Sequence, residues 1–222
     1  MKKRVACVLV AGVLVCAPVA GVITQARPAG KGFTSRVTRI SDRLEKRMRG
    51  NSWHRGCPVP IRDLRLVKMS FHGFDGDRHQ GKLVVHQDSS AALVRAFRAM
   101  YRAGFKIRRM HLVDRYNSSD QASMRADNTS AFNCRPVAGT DRWSQHAYGR
   151  AIDINPVENP YVGSDGSVSP RKGRRYTDRS RRHKGMIHSG DATVRAFADI
   201  GWGWGGNWGS AKDYQHFSAT GT

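Results

Sequence analysis

The sequence predicts an α+β domain, and three observations carry that expectation. Residues 64–71 and 82–86 are consecutive strand candidates split by a Gly/Asp turn at 73–76. The clearest amphipathic helix of the chain follows them at once. A third short apolar run surrounds Asp153.

The elements are justified in order. Residues 26–33 read as a linker. Thr34 or Ser35 then caps an expected helix to Arg49, with Val37, Ile40, Leu44 and Met48 on one stripe and Gly50 as its stop. Asp88 or Ser89 opens the amphipathic helix. Leu93, Val94, Phe97, Met100 and Tyr101 share its apolar face, Arg95, Arg98 and Arg102 form a basic stripe, and Gly104 ends it. Residues 106–113 alternate like a strand, and polar residues 118–129 read as a loop. Residues 151–154 place Asp153 on a strand. Periodicity fails from 155 to 190, a stretch long enough to be functional. Residues 191–200 form a short helix stopped by Gly201. Residues 201–208 then bring three tryptophans among glycines, suited to a sugar or peptide platform or to core filling.

The 222 residues suffice for one well-packed domain, taken as a monomer. Met-Lys-Lys-Arg followed by an apolar run from Val5 to Thr24 reads as a signal peptide or an N-terminal membrane anchor over residues 1–25. Linker and helix fill 26–60, and the main domain fills 61–222. Outside the export segment only Cys57 and Cys134 remain; an exported chain favours a disulfide between them over two thiols. The formal charge of +21 concentrates polyanions at the surface. Residues 171–184 hold eight Lys/Arg and one acid: a disordered basic insertion, or a basic rim for an anionic polymer. The export segment and the lack of a nucleic-acid motif argue against a nucleic-acid partner.

Two blocks carry chemistry. One is Ser144-Gln-His146-Ala-Tyr-Gly149-Arg-Ala151-Ile-Asp153; the other is Asp213-Tyr-Gln-His216. Two imidazoles and a carboxylate make a three-ligand zinc site with an open position, and a spare carboxylate can act as base. Spacing alone leaves these residues equally readable as turn caps and surface histidines.

Together the blocks resemble the zinc D-alanyl-D-alanine carboxypeptidase family, which shares a fold with lysostaphin-type endopeptidases and the hedgehog signalling domain. The resemblance covers roughly residues 81–218. It implies a small antiparallel sheet flanked by helices, with Zn²⁺ on the sheet face. It further implies His146, Asp153 and His216 as metal ligands and Asp213 as general base. Arg135 matches the family's upstream arginine, which stabilises an oxyanion or holds a substrate carboxylate. Ser144 has a supporting place. Aspartate at 213, where many members carry glutamate, is similar to the phage L-alanyl-D-glutamate endopeptidase branch. The expected function is hydrolysis of peptidoglycan stem peptides outside the cytoplasm, at D-Ala-D-Ala or alternatively at L-Ala-D-Glu or a cross-bridge. Stem peptides and anionic cell-wall polymers are the expected partners. A non-catalytic wall-binding module is the alternative of another class.

Overall fold

The computed structural model describes residues 32–222, which form an α+β unit. The expected export segment, residues 1–25, lies outside the described residues. Among those described, no helix is long and apolar enough to cross a membrane.

The expected helix at 34–49 is replaced by two elements: strand β1 (Ser35–Arg39) and the shorter helix α1 (Asp42–Met48). The reason is local. Ser41 caps α1, its side chain accepting from Leu44 N, while β-branched Val37 and Thr38 favour the extended chain before it. Ile40, Leu44 and Met48 still pack inward, but Val37 stays exposed on the edge strand.

Strands β2 (Leu64–His72) and β3 (Arg78–His86) form the expected hairpin, with β1 on the outer edge of β2. Helix α2 (Gln87–Arg102) follows directly. It lays Leu93, Phe97 and Met100 on Val67, Met69, Leu83 and Val85, and turns Arg95, Arg98 and Arg102 to solvent.

Residues 106–113 do not form the expected strand; they make only single bridges, Lys106 with His72 and Met110 with Thr129. Asparagine side chains supply the missing ladder. Asn128 accepts from His111 N at 2.8 Å and donates to His111 O at 3.1 Å, and Asn155 Oδ1 accepts from Arg108 N at 2.9 Å. The expected loop at 118–129 contains helix α3 (Asp120–Arg125), capped by Ser119.

Strand β4 (Ala151–Asp153) lies where the sequence put it. The long segment after it holds β5 (Tyr161–Val162), β6 (Val168–Ser169) and a 3-10 turn at Arg171–Tyr176. Helix α4 (Ala192–Ala198) then leads to β7 (Gly203–Trp204), β8 (Lys212–Asp213) and β9 (His216–Ser218). These strands make two further antiparallel sheets, ordered β4-β9-β7 and β6-β5-β8. Phe197 stacks on Phe217 at 4.1 Å and meets Phe97 edge-on at 6.2 Å, joining α4 to α2 and β9. Trp202 and Trp204 fill this core.

Cys57 and Cys134 are disulfide-bonded, across 77 residues of sequence. Loop-closure entropy gives such a bridge about 4 kcal/mol. It ties the segment after α1 to the chain that leads into His146.

Residues 151–160 are all buried, and a polar knot holds the end of that run. Arg108 reaches Asp127 at 3.3 Å and Glu158 at 3.2 Å. Burial, and then the Asp127 carboxylate, push the Glu158 pKa up to about 8. An acid whose folded pKa lies above its unfolded value of about 4.3 stabilises the fold only while protonated. Glu158 therefore draws down stability as pH rises from about 4.5 to about 8. Glu158→Gln should gain stability over wild type across that window and match it near pH 4. Urea unfolding at both ends of the window reads the difference; a constant gap would refute the assignment.

Candidate metal centre

Ser144 starts the site. Its Oγ accepts from His146 N at 3.2 Å and caps the 3-10 turn Gln145–Tyr148. Gly149 closes that turn at φ +66°, and a Cβ there would sit 2.5 Å from His86 N. The motif glycine is thus required twice, for left-handed backbone and for close approach to β3. His86 N donates to Gly149 O at 2.9 Å and fixes the turn on the hairpin.

Two residues later β4 begins and pairs with β9, Asp153 directly opposite His216. Directly opposed residues of an antiparallel pair project to one face. His146, Asp153 and His216 are all buried, and each offers a ligand atom within 4.8 Å of the others.

The nitrogen each imidazole turns to Asp153 follows from hydrogen bonding. His146 Nδ1 lies 2.6 Å from Ala131 O, which only accepts, so Nδ1 carries the proton. That leaves the Nε2 lone pair facing Asp153 Oδ2 at 3.1 Å, in no hydrogen-bond alignment and with no other partner. His216 Nε2 faces Thr222 O at 3.4 Å, and its Nδ1 faces Asp153 Oδ1 at 3.0 Å. Each ring therefore meets an acceptor at both nitrogens, whereas a neutral imidazole has one N–H. Positive charge must resolve this: protons on the rings, or one metal ion among His146 Nε2, the Asp153 carboxylate and His216 Nδ1. The residues fit a metal, and the backbone oxygens of Ala131 and Thr222 orient the two rings for it.

The electrostatics agree. Burial alone would raise Asp153, but the imidazoles win and hold its carboxyl well below the usual range. Burial opposes charge on His216 as well, yet Asp153 raises its pKa. Asp213 is pushed up to about 6, by burial first and then by the Asp153 charge. Its Oδ1 is buried without a hydrogen-bond partner.

The structure thus gathers His146, Asp153, His216 and Asp213. Arg135 is engaged elsewhere: its guanidinium pairs with Asp120 at 2.8 Å, and its carbonyl accepts from Ser144 N at 3.1 Å. Of two further neighbours, Tyr161 escaped the sequence reading and Trp208 entered it only as one of three tryptophans in the glycine-rich run. Tyr161 stands opposite Asp213 in the β5–β8 pair, so their side chains share a face. Trp208 packs on the His216 ring at 5.6 Å. Only the register, which sequence spacing does not give, finds the tyrosine; the tryptophan had a signal in the glycine-rich run.

That run also makes room for Asp213. A Cβ on Gly205 would lie 2.6 Å from Asp213 O and 2.9 Å from Asp213 Cβ, whereas one on Gly209 meets nothing within 4 Å. Gly205→Ala should cost about 1–3 kcal/mol by overpacking, and Gly209→Ala should cost far less. Denaturant midpoints of the two variants check this; equal midpoints would remove the packing argument.

No curated protein and no solved structure matches the chain. The family model described as D-alanyl-D-alanine carboxypeptidase matches residues 138–219. That span contains His146, Asp153, Asp213 and His216, and it begins after Arg135. The segment that carries the candidate metal centre is thus similar to the D-alanyl-D-alanine carboxypeptidase family.

Proposed function

We propose that this chain is a zinc peptidase that hydrolyses peptide bonds in peptidoglycan stem peptides outside the cytoplasm, with D-Ala-D-Ala as the favoured bond. The observation that carries the reading is the convergence of His146 Nε2, Asp153 and His216 Nδ1 beside a half-buried Asp213 whose Oδ1 is shielded from solvent and whose pKa is pushed up to about 6. The family match and this group support a metallopeptidase; zinc is the ion that two imidazoles and one carboxylate suit. The disulfide fits an oxidising compartment.

His146, Asp153 and His216 would hold the ion. When bound, zinc supplies Lewis acidity that polarises a carbonyl and acidifies water. Asp213 takes the proton from the attacking water on its carboxylate and returns it to the leaving amine, a task suited to a pKa near neutrality. Arg135 meets either the developing oxyanion or a substrate carboxylate, exchanging its Asp120 partner for the substrate. Tyr161, on the same face as Asp213, orients the chain being cut.

The variants separate these roles. His146→Ala and His216→Ala should lose metal and activity together. Asp213→Asn should keep the metal and lose roughly 10²–10⁴-fold in turnover. Arg135→Ala should keep the metal and lose turnover. Metal content and muropeptide hydrolysis are measured side by side, and mass spectrometry of the products distinguishes D-Ala-D-Ala cleavage from cleavage at L-Ala-D-Glu or a cross-bridge. A fully active Asp213→Asn would mean another base, and a wild type without metal would end the enzyme reading.

The basic stretch has a separate part. Arg179, Arg181, Arg182 and Lys184 are held by partners within the fold, whereas Arg171, Lys172, Arg174 and Arg175 lie exposed on the 3-10 turn after β6. β6 is joined through β5 to the strand of Asp213, so these four residues flank the proposed site and hold anionic wall polymer beside it. Neutralising all four should weaken wall binding and its salt dependence while turnover of a short soluble stem peptide changes less than about twofold. Loss of that turnover with wall binding intact would contradict this part.

A further inference from the structure

A cavity of about 670 Å³ opens where β1, α1 and the start of β2 meet. Four arginines line it, Arg39, Arg49, Arg62 and Arg65, against two acids, Glu45 and Asp63. Its residues play no part in the metal centre.

Three features set this cluster apart from an ordinary solvated basic face. Arg39 stands directly opposite Arg65 in the β1–β2 ladder, and like charges placed so repel. Arg65 cannot swing away: its guanidinium donates to Arg62 O and Leu64 O at 2.8 Å and to Gln87 Oε1 at 2.6 Å. All three acceptors are neutral, so they fix the cation without cancelling it. Third, the acids do not answer this pair. Glu45 is taken by Arg49, whose Nε donates to it at 3.0 Å, and Arg39 and Arg62 have no acidic partner among the described residues. Asp63 offsets one charge, and the cavity keeps an excess of two.

A ladder that opposes two guanidinium groups, locks one and leaves the other free is built for an anion between them. We propose that this cavity binds a phosphate oxyanion carried on a soluble polyanion. Planar forks from Arg39, Arg62 and Arg65 match the several oxygens of a phosphate, and the excess of two cations matches a dianion or two neighbouring phosphodiesters. This inference is independent of the peptidase reading, because neither the metal ligands nor Asp213 lines the cavity.

Thermal melting of the full chain tests it at fixed ionic strength, with inorganic phosphate set against chloride. Phosphate at tenfold over its dissociation constant should raise the wild-type midpoint by about 3–6 °C. The double variant Arg39→Thr with Arg62→Gln should lose that rise, while the charge-matched control Arg95→Gln with Arg102→Gln on α2 should keep it. Without phosphate, Arg39→Thr should melt no lower than wild type, since it removes the repulsion with Arg65. An equal rise in the cavity variant and the wild type, or no rise in the wild type, overturns the site. Polyphosphate and phosphatidylglycerol vesicles identify the source. Retention on polyphosphate that depends on Arg39 and Arg62 supports a soluble polymer; dependence seen only on vesicles replaces it with a lipid headgroup and overturns the proposal.

Discussion

In the β4–β9 ladder Asp153 stands opposite His216, and Ile152 stands opposite Phe217. The first pair faces the candidate metal centre and the second faces the aromatic core. Side chains alternate along a strand, so a one-residue slip would exchange core and site together. The register is pinned from the core side, where Phe217 stacks on Phe197 and Ile152 is fully buried. It is pinned again from the far edge of β4, where Ser130 and Asp153 exchange backbone hydrogen bonds at 3.0 and 2.9 Å. Hydrophobic packing therefore sets the position of two of the three candidate ligand side chains, and the capped turn at Ser144 sets the third.

The same ladder explains the electrostatics. A buried carboxylate is costly unless something positive compensates it. Among the described residues Asp153 is compensated only by imidazoles, whose other nitrogens already face backbone oxygens. The cluster is thus short of positive charge by construction, and that shortage is what makes it a candidate cation site. Asp213 lies within the field of this group. Its raised pKa follows from burial and from Asp153, so the neighbour that would bind a metal also tunes the candidate base.

What was legible in the sequence was what local chemistry determines. The strand at Asp153 reads correctly because a capped turn, a left-handed glycine and a strand follow one another without a break. The β2–β3 hairpin and α2 read correctly because their apolar periods are regular. Residues 34–49 misled because Val37, Ile40, Leu44 and Met48 fit a helical stripe, while the cap that starts the helix sits at Ser41, beyond the first of them. Residues 106–113 misled because alternation suggests a ladder, whereas Asn128 and Asn155 take the backbone groups a ladder would use. Arg135 is placed by its sequence neighbours, but its pairing with Asp120 depends on α3, which the polar composition of 118–129 concealed. Tyr161 became visible only once β5 was paired with β8.

The charge of +21 likewise resolves into arginines with different physical tasks. Arg108 bridges two buried acids and covers the Phe74 ring at 3.7 Å. Arg179 donates to the carbonyls of Glu158 and Ile187 and to Asn159 Oδ1, and lies over the Tyr214 ring at 4.4 Å. Burial lowers its pKa to about 10, still far above neutrality, so it stays charged inside the fold. Tyr214 adjoins Asp213, and Asn155, which the same knot holds, follows Asp153 by two residues. Asn159 closes the arrangement by donating to Ile154 O and Gly185 O at 3.1 and 2.8 Å. One end of this buried polar knot thus steadies the carboxylate that faces both imidazoles, and the other steadies the strand of the candidate base. An arginine in this position acts on the site through geometry, at a distance where its charge is already spent on backbone carbonyls. A substitution at Arg179 would therefore disturb the relative placement of Asp153 and Asp213 more than the potential either one feels.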